Sequence, residues 1–243
     1  MCRAFNKCNQ ELGTRHSILM PVPPSRGCVT KSPFSFPTFR LEAQGLAFAR
    51  GGRTLIENLS FGLTNGDALV VTGANGAGKS TLLRGLAGFL GANAGYALLM
   101  DEAGGRETIA SQAHYVGHQE GSKPALTARE NLAFWQAMLA LPGLTCDLTP
   151  DAALARLGVP QVADLPVAYL SAGQKRRVGL ARLLLAPRPV WILDEPLTAL
   201  DGAGQALLTT LMKEHLAQGG TLIAATHAPL GIESLHLELG GTP

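Results

Sequence analysis

Between Ala68 and Leu90 the chain passes from a compact apolar run into a glycine loop and then into a helical pattern. Few folds accept that order. Ala68–Leu69–Val70–Val71–Thr72 reads as a strand, and Leu82, Leu83, Leu86 and Phe89 recur at helical spacing over Ser80–Leu90. The loop between them, Gly73–Ala74–Asn75–Gly76–Ala77–Gly78–Lys79–Ser80–Thr81, carries the pattern G-x-x-x-x-G-K-S. Glycines let the main chain turn tightly and aim successive amides at phosphate oxygens. The following helix adds the positive end of its dipole. Lys79 is expected to reach the β and γ phosphates, Ser80 to ligate magnesium, and Thr81 to support the loop. In ordinary composition the four fixed positions arise by accident in about one chain in a hundred of this length, and a few times more often with 29 glycines. Placement after a buried strand makes accident rarer still. The loop implies nucleotide binding, but alone it leaves kinases and GTPases in play.

A second segment narrows the chemistry. Val190–Trp191–Ile192–Leu193 is almost wholly apolar, as a central parallel strand must be, and it ends in Asp194–Glu195. Open α/β sheets bind ligands at the carboxyl ends of their strands. Asp194 is therefore placed to hold magnesium, and Glu195 to act as general base on a water. A solvated strand end is the bland reading of the pair, and beside a phosphate loop it loses most of its force.

The remaining pattern is α/β. Ala47–Arg50 followed by Gly51–Gly52 resembles a strand and hairpin turn, Leu55–Leu63 another strand, and Asn65–Gly66–Asp67 a turn. A turn-rich stretch is expected through Gly121. Helices are expected over Leu126–Leu141, with Leu132, Phe134, Trp135, Met138 and Leu139 available for packing, and over Asp151–Gly158, capped by Thr149 with Pro150 first. Gly173–Leu185 and Ala206–Leu216 read as further helices, Thr221–Ala225 as a strand, and Leu235–Leu239 as an edge strand. No internal repeat is present, so one nucleotide-binding unit is expected per chain.

Residues 1–40 differ from the rest. Arg3, Lys7, Arg15, Arg26, Lys31 and Arg40 stand against Glu11 alone, so the net charge of +2 hides a remainder of formal −3 by difference. Pro21, Pro23, Pro24, Pro33 and Pro37 oppose regular structure. The segment is expected to be a disordered extension or the product of an overextended start, with a basic targeting segment as the alternative. Folded sequence is expected from about Leu41 to residue 240. Cys2, Cys8, Cys28 and Cys146 form no CxxC pair and read as unpaired thiols. No apolar stretch approaches the roughly 20 residues of a membrane span. The acidic remainder does not suggest a nucleic-acid partner.

Leu170–Ser171–Ala172–Gly173–Gln174–Lys175–Arg176–Arg177 resembles the ABC ATPase signature LSGGQ, with Ala172 in place of its first glycine. The resemblance extends through Asp194–Glu195–Pro196, Ala199–Leu200–Asp201 and His227, and Gln119 lies where that family carries its Q-loop glutamine. It covers about residues 41–240. The resemblance implies a P-loop NTPase core with an antiparallel β subdomain and a small helical subdomain at about 122–170. It implies an ATPase using ATP and Mg2+ in a head-to-tail dimer of nucleotide-binding subunits, where Ser171, Ala172, Gly173 and Gln174 meet the ATP held by the opposite subunit. Gln119 would join metal and water to the partner-facing surface, His227 would sense the γ phosphate through Glu195, and Asp201 would couple the two sites. Taken alone, Ser171 and Asp201 could simply cap helices. For adenine, Arg50 and Phe48 occupy the neighbourhood where the family stacks the base; the favoured reading of Phe48 is a core residue, which leaves the Arg50 guanidinium to cover the base.

Within that family, Tyr115–Val116–Gly117–His118–Gln119, Leu126–Thr127–Ala128–Arg129–Glu130–Asn131–Leu132 and the signature run are similar to the ATP-binding subunits of the haem-export complex of cytochrome c biogenesis. That similarity implies integral-membrane transporter subunits as partners, a link to haem-handling proteins, and a peripheral place on the cytoplasmic face of the cell inner membrane. Two other readings stay open: an ATPase subunit for another small-molecule transporter, and an ATP-dependent dimerisation module with little hydrolysis. No residue set assigns a haem ligand.

Overall fold

In the computed structural model, residues 35–118, 121–140 and 147–240 are described. In chain order they form β1 (Phe39–Arg50), β2 (Arg53–Thr64), β3 (Ala68–Gly73), α1 (Lys79–Leu86), β4 (Ala94–Asp101), β5 (Arg106–Thr108), α2 (Ile109–Gln112), β6 (Ala113–Val116), α3 (Ala128–Leu139), α4 (Pro150–Arg156), α5 (Ala172–Leu185), β7 (Val190–Asp194), α6 (Gly202–Ala217), β8 (Thr221–Ala225) and β9 (Leu235–Leu239).

Two sheets result. β6-β7-β8-β3-β9 is a five-stranded sheet in which every pairing is parallel, and β2-β1-β4-β5 is an antiparallel sheet. Period-2 alternation explains why the parallel strands read as unbroken apolar runs: they have two buried faces to fill. Trp191 and Leu193 of β7 join Val70, Leu222 and Ala224 in one cluster with Leu180 of α5 and Leu208 of α6. Val190 and Ile192 face the other way, into a cluster with Leu69, Val71, Ile223, Leu82 and Leu83 of α1, and Phe48 from the antiparallel sheet. The sheet is thus packed on both sides, and its carboxyl edge is left for chemistry.

The helical segment is set by its caps. Thr127 and Glu130 form a reciprocal capping box at the start of α3, the hydroxyl accepting from the Glu130 amide at 3.1 Å and the carboxylate from the Thr127 amide at 2.8 Å. Thr149 caps α4, with Pro150 at its first position. Among the described residues, no helix is long and apolar enough to cross a membrane.

Several expectations need correction. The fold starts before Leu41: Phe36 and Phe39 are buried, and the Phe36 amide donates to the Gln218 carbonyl at 2.8 Å. The stretch expected to be turn-rich up to Gly121 holds β4, β5, α2 and β6, whose pairing with β1 and β7 supplies an order that local pattern does not. Helix α1 ends at Leu86, and Gly88 at φ 79° turns the chain so that Phe89 is largely exposed, with one edge contact to the Tyr115 ring instead of a place in the core. On α3, Leu132 is buried, but Phe134 and Met138 are 41% and 52% exposed. Residues 1–34, Cys146 and the Pro142–Gly143 helix stop lie outside the described residues.

Candidate active site

Three neighbouring strands deliver the site to one edge. The register pairs Val71 with Ala225 and Asp194 with Ala225, so the ends of β3, β7 and β8 coincide. Beyond them a cleft of about 390 Å³ is lined by Asn75, Gly76, Gly78, Lys79, Ser80 and Thr81 on one side and by Asp194, Glu195 and His227 on the other. The structure therefore gathers the phosphate loop, both carboxylates and the histidine in one chain.

The loop's shape depends on its glycines. A Cβ on Gly73 would sit 2.4 Å from the Leu239 carbonyl, and Gly78 adopts φ 102° against Ile56. Gly78 opens α1 without a side-chain cap, and no acidic residue occupies the first turn, so the helix start is kept for an external anion. Lys79 Nζ donates to the Gly73 carbonyl at 2.7 Å and the Ala74 carbonyl at 3.1 Å, which folds the ammonium over the loop. These features fit a triphosphate. Ser80 and the buried Asp194 bring hard oxygens to the same cleft and suit magnesium, which prefers few protein ligands alongside phosphate. Behind Asp194, burial pushes the Tyr115 phenol up, while its hydrogen bond with Arg84 raises the guanidinium.

Glu195 is held in an uncommon conformation. Its φ is 48°, a region that costs a non-glycine residue about 1–2 kcal/mol. Its amide donates to the Ala225 carbonyl at 2.9 Å. Its carboxylate, with the side chain 33% exposed, lies 3.9 Å from His227 Nε2. The other anchor is Arg176, which is 3% exposed. Its Nη2 donates to the carbonyls of Glu195 at 2.8 Å and Asp194 at 3.2 Å, Nη1 to Gly117 at 2.8 Å, and Nε to Pro196 at 3.4 Å. In the sequence Arg176 figures only as part of the signature run, with no role of its own. The available signal was helical phase: Arg176 lies four and seven residues before the buried Leu180 and Leu183.

The signature residues stand apart from this cleft. Ser171 caps α5 in a capping box with Gln174: the hydroxyl accepts from the Gln174 amide at 3.2 Å, and Gln174 Oε1 accepts from the Ser171 amide at 2.9 Å. Ala172 opens the helix and is exposed, lining a second cleft of about 210 Å³ with His118 and Thr198. Gly173 is closed in, since a Cβ there would meet the Ala199 carbonyl at 3.0 Å. Asp201 caps α6 by accepting from the Gly204 amide at 2.8 Å and pairs with Arg177, and those two contacts hold its carboxyl below the usual range. Gln119 lies outside the described residues, as does the Arg50 side chain. Phe48 is buried against Gly85 of α1 and belongs to the core. Leu55 of β2, which the sequence did not single out, lines the phosphate cleft.

A phosphate loop facing an Asp–Glu pair across the carboxyl edge of an open parallel sheet defines a P-loop nucleotide hydrolase. Residues 56–198 match the ABC transporter family. The chain is 50% identical to the cytochrome c biogenesis ATP-binding export protein CcmA of Nitrobacter hamburgensis, over 84% of this chain and 99% of that protein. It is likewise 50% identical to the protein of the same name from Brucella abortus, over 80% and 88%. Among solved structures, an ABC transporter ATP-binding protein from Pyrococcus furiosus superposes with a TM-score of 0.68 at 20% identity, covering 82% of this chain and 97% of that one. A dimeric ATP-binding cassette in a post-hydrolysis state with ADP and Pi superposes with a TM-score of 0.66 at 22% identity, covering 83% and 97%. The chain belongs to the ABC transporter family, as an ATP-binding and ATP-hydrolysing subunit of the cytochrome c biogenesis export type.

Proposed function

We propose that this chain is the MgATP-hydrolysing subunit of a membrane complex that couples turnover to haem export, or to release of haem from its carrier, in cytochrome c maturation. The observation that carries the enzymatic part is the convergence of Lys79, Asp194, Glu195 and His227 on one cleft. Lys79 exchanges its bonds to the loop carbonyls for β- and γ-phosphate oxygens, and the loop amides share that charge. Ser80 and Asp194 would hold magnesium, which would supply charge neutralisation to the phosphates. Glu195 takes the proton of the attacking water, and His227 positions that water from beside it. By its place in the sequence, Gln119 links this centre to the membrane partners.

Two copies meet head to tail. Ser171, Ala172, Gly173 and Gln174 lie outside the phosphate cleft of their own chain, and the start of α5 offers another helix end to the γ phosphate of ATP bound by a second copy. Asp201, exposed at the start of α6, belongs to the same facing surface. Ala172 occupies an ordinary helical position, so it gives no reason for a hydrolysis-poor dimerisation module. Helices in about 122–170 form the subdomain that meets the integral-membrane subunits, and the exposed Phe134 and Met138 of α3 support this. The subunit then sits peripherally on the cytoplasmic face of the inner membrane, with no nucleic-acid partner.

The test is to purify the assembled membrane complex with native chain and with Glu195→Gln, and to measure MgATP turnover and bound haem. Native complex is expected to turn over ATP and to change its haem occupancy as it does so. Glu195→Gln is expected to bind ATP and to lose turnover by about 10²-fold or more. Turnover indifferent to Glu195 contradicts the catalytic assignment. Normal turnover with haem unaffected by ATP contradicts the haem assignment alone.

A further inference from the structure

Arg176 belongs to α5, the helix that Ser171 caps, yet its guanidinium ends among the carbonyls that follow β6 and β7. Asp194, Glu195 and Pro196 are consecutive, and all three accept from it. The middle one is the residue at φ 48°, a conformation disfavoured unless its surroundings impose it. Two bonds impose it here. The Ala225 carbonyl takes the Glu195 amide on the β8 side, and Arg176 Nη2 takes the Glu195 carbonyl on the α5 side. Only a planar fork with several fixed donors can serve these carbonyls and Gly117 at once, and a lysine ammonium cannot span them.

A second contact ties the same helix to the same segment. Gly173 lies against the Ala199 carbonyl, where even one added carbon would come to 3.0 Å, and Ala199 is itself at φ 64°. The first two turns of α5 are therefore in contact with the chain on both sides of Pro196, including the backbone of Glu195.

We infer that Arg176 is a positioning residue that transmits engagement of the signature segment to the general base of its own chain. This rests on the reading of Glu195 as base and of Ser171 as a contact to ATP on a second copy. Closure of the signature on that ATP then presets the Glu195 carboxylate for the ATP in its own cleft, and the two sites of a dimer are coupled through one side chain in each copy. Arg176 acts through the backbone carbonyls of Asp194, Glu195 and Pro196, to which its guanidinium donates.

The test compares native complex, Glu195→Gln, Arg176→Lys and Arg176→Met for ATP affinity, kcat and KM. Arg176→Lys is expected to bind ATP within about threefold of native and to lose kcat by about tenfold or more, as a small error in aim does. Arg176→Met is expected to fall further, towards Glu195→Gln, with ATP binding kept. Ser171→Ala should lower turnover in native background and lower it little more in Arg176→Lys, because both changes break one path. Native-like kcat in both Arg176 variants overturns the inference. So does a loss of kcat matched by an equal loss of ATP binding, which would mark Arg176 as merely structural, and so does full additivity with Ser171→Ala. If instead Glu195→Gln turns over like native, the underlying reading of Glu195 falls, and this inference falls with it.

Discussion

At residue scale, the two central positions of the signature differ in what surrounds them. Ala172 is exposed at the first helical position, while Gly173 has the Ala199 carbonyl 3.0 Å from where its Cβ would be. Alanine is accommodated at the first, and at the second it crowds the Ala199 carbonyl of the same chain. Ala172→Gly should leave ATP turnover within about twofold, whereas Gly173→Ala should push Ala199 aside and lower turnover about tenfold, measured in the assembled complex. Equal effects at both positions would contradict this. Two histidines outside the site make a separate prediction. Burial pushes His114 and His215 down to about 3 despite hydrogen bonds to the Ala186 and Thr221 carbonyls, and His215 stacks on Trp191 at 4.0 Å. Each is neutral in the fold and binds a proton once unfolded below its ordinary value near 6.5. Their contribution is complete above that value and is lost as pH falls towards 3, by about 2 kcal/mol apiece between pH 7 and pH 5. Thermal unfolding across that window should therefore show a falling midpoint, and His215→Phe should flatten the slope.

At the scale of elements, a strand was legible when two buried faces made its sequence uniform. β3, β7 and β8 announce themselves because their apolar side chains fill a hydrophobic layer on each face of the sheet. β4 does not: Leu99 is its one buried side chain, and Tyr96 is exposed. β6 is four residues long and includes His114, whose burial depends on the distant Ala186 carbonyl. Caps were more readable than packing, since a cap is local and packing is not. Thr127 is expected to matter only to its helix: Thr127→Ala should cost about 1 kcal/mol in chemical unfolding and leave ATP affinity unchanged. A loss of affinity would mean that α3 communicates with the phosphate cleft.

At the scale of the whole molecule, the motif residues gave away the half-site because phosphate chemistry fixes residue type and spacing: Lys79, Ser80, Asp194, Glu195 and His227 all meet in one cleft. Arg176 escaped notice because its role depends on where two strands end relative to a helix, and no spacing records that. The signature residues lie off that cleft, and in the proposed head-to-tail arrangement ATP would join the phosphate cleft of one copy to the signature of another. The most direct measurement is the solution mass of Glu195→Gln protein, by sedimentation, with saturating MgATP. A mass twice that of one chain is expected with MgATP, returning to that of a single chain when Lys79→Ala or Ser171→Arg is added or when MgADP replaces MgATP. A single-chain mass at saturating MgATP, or a doubled mass that survives Ser171→Arg, would contradict it.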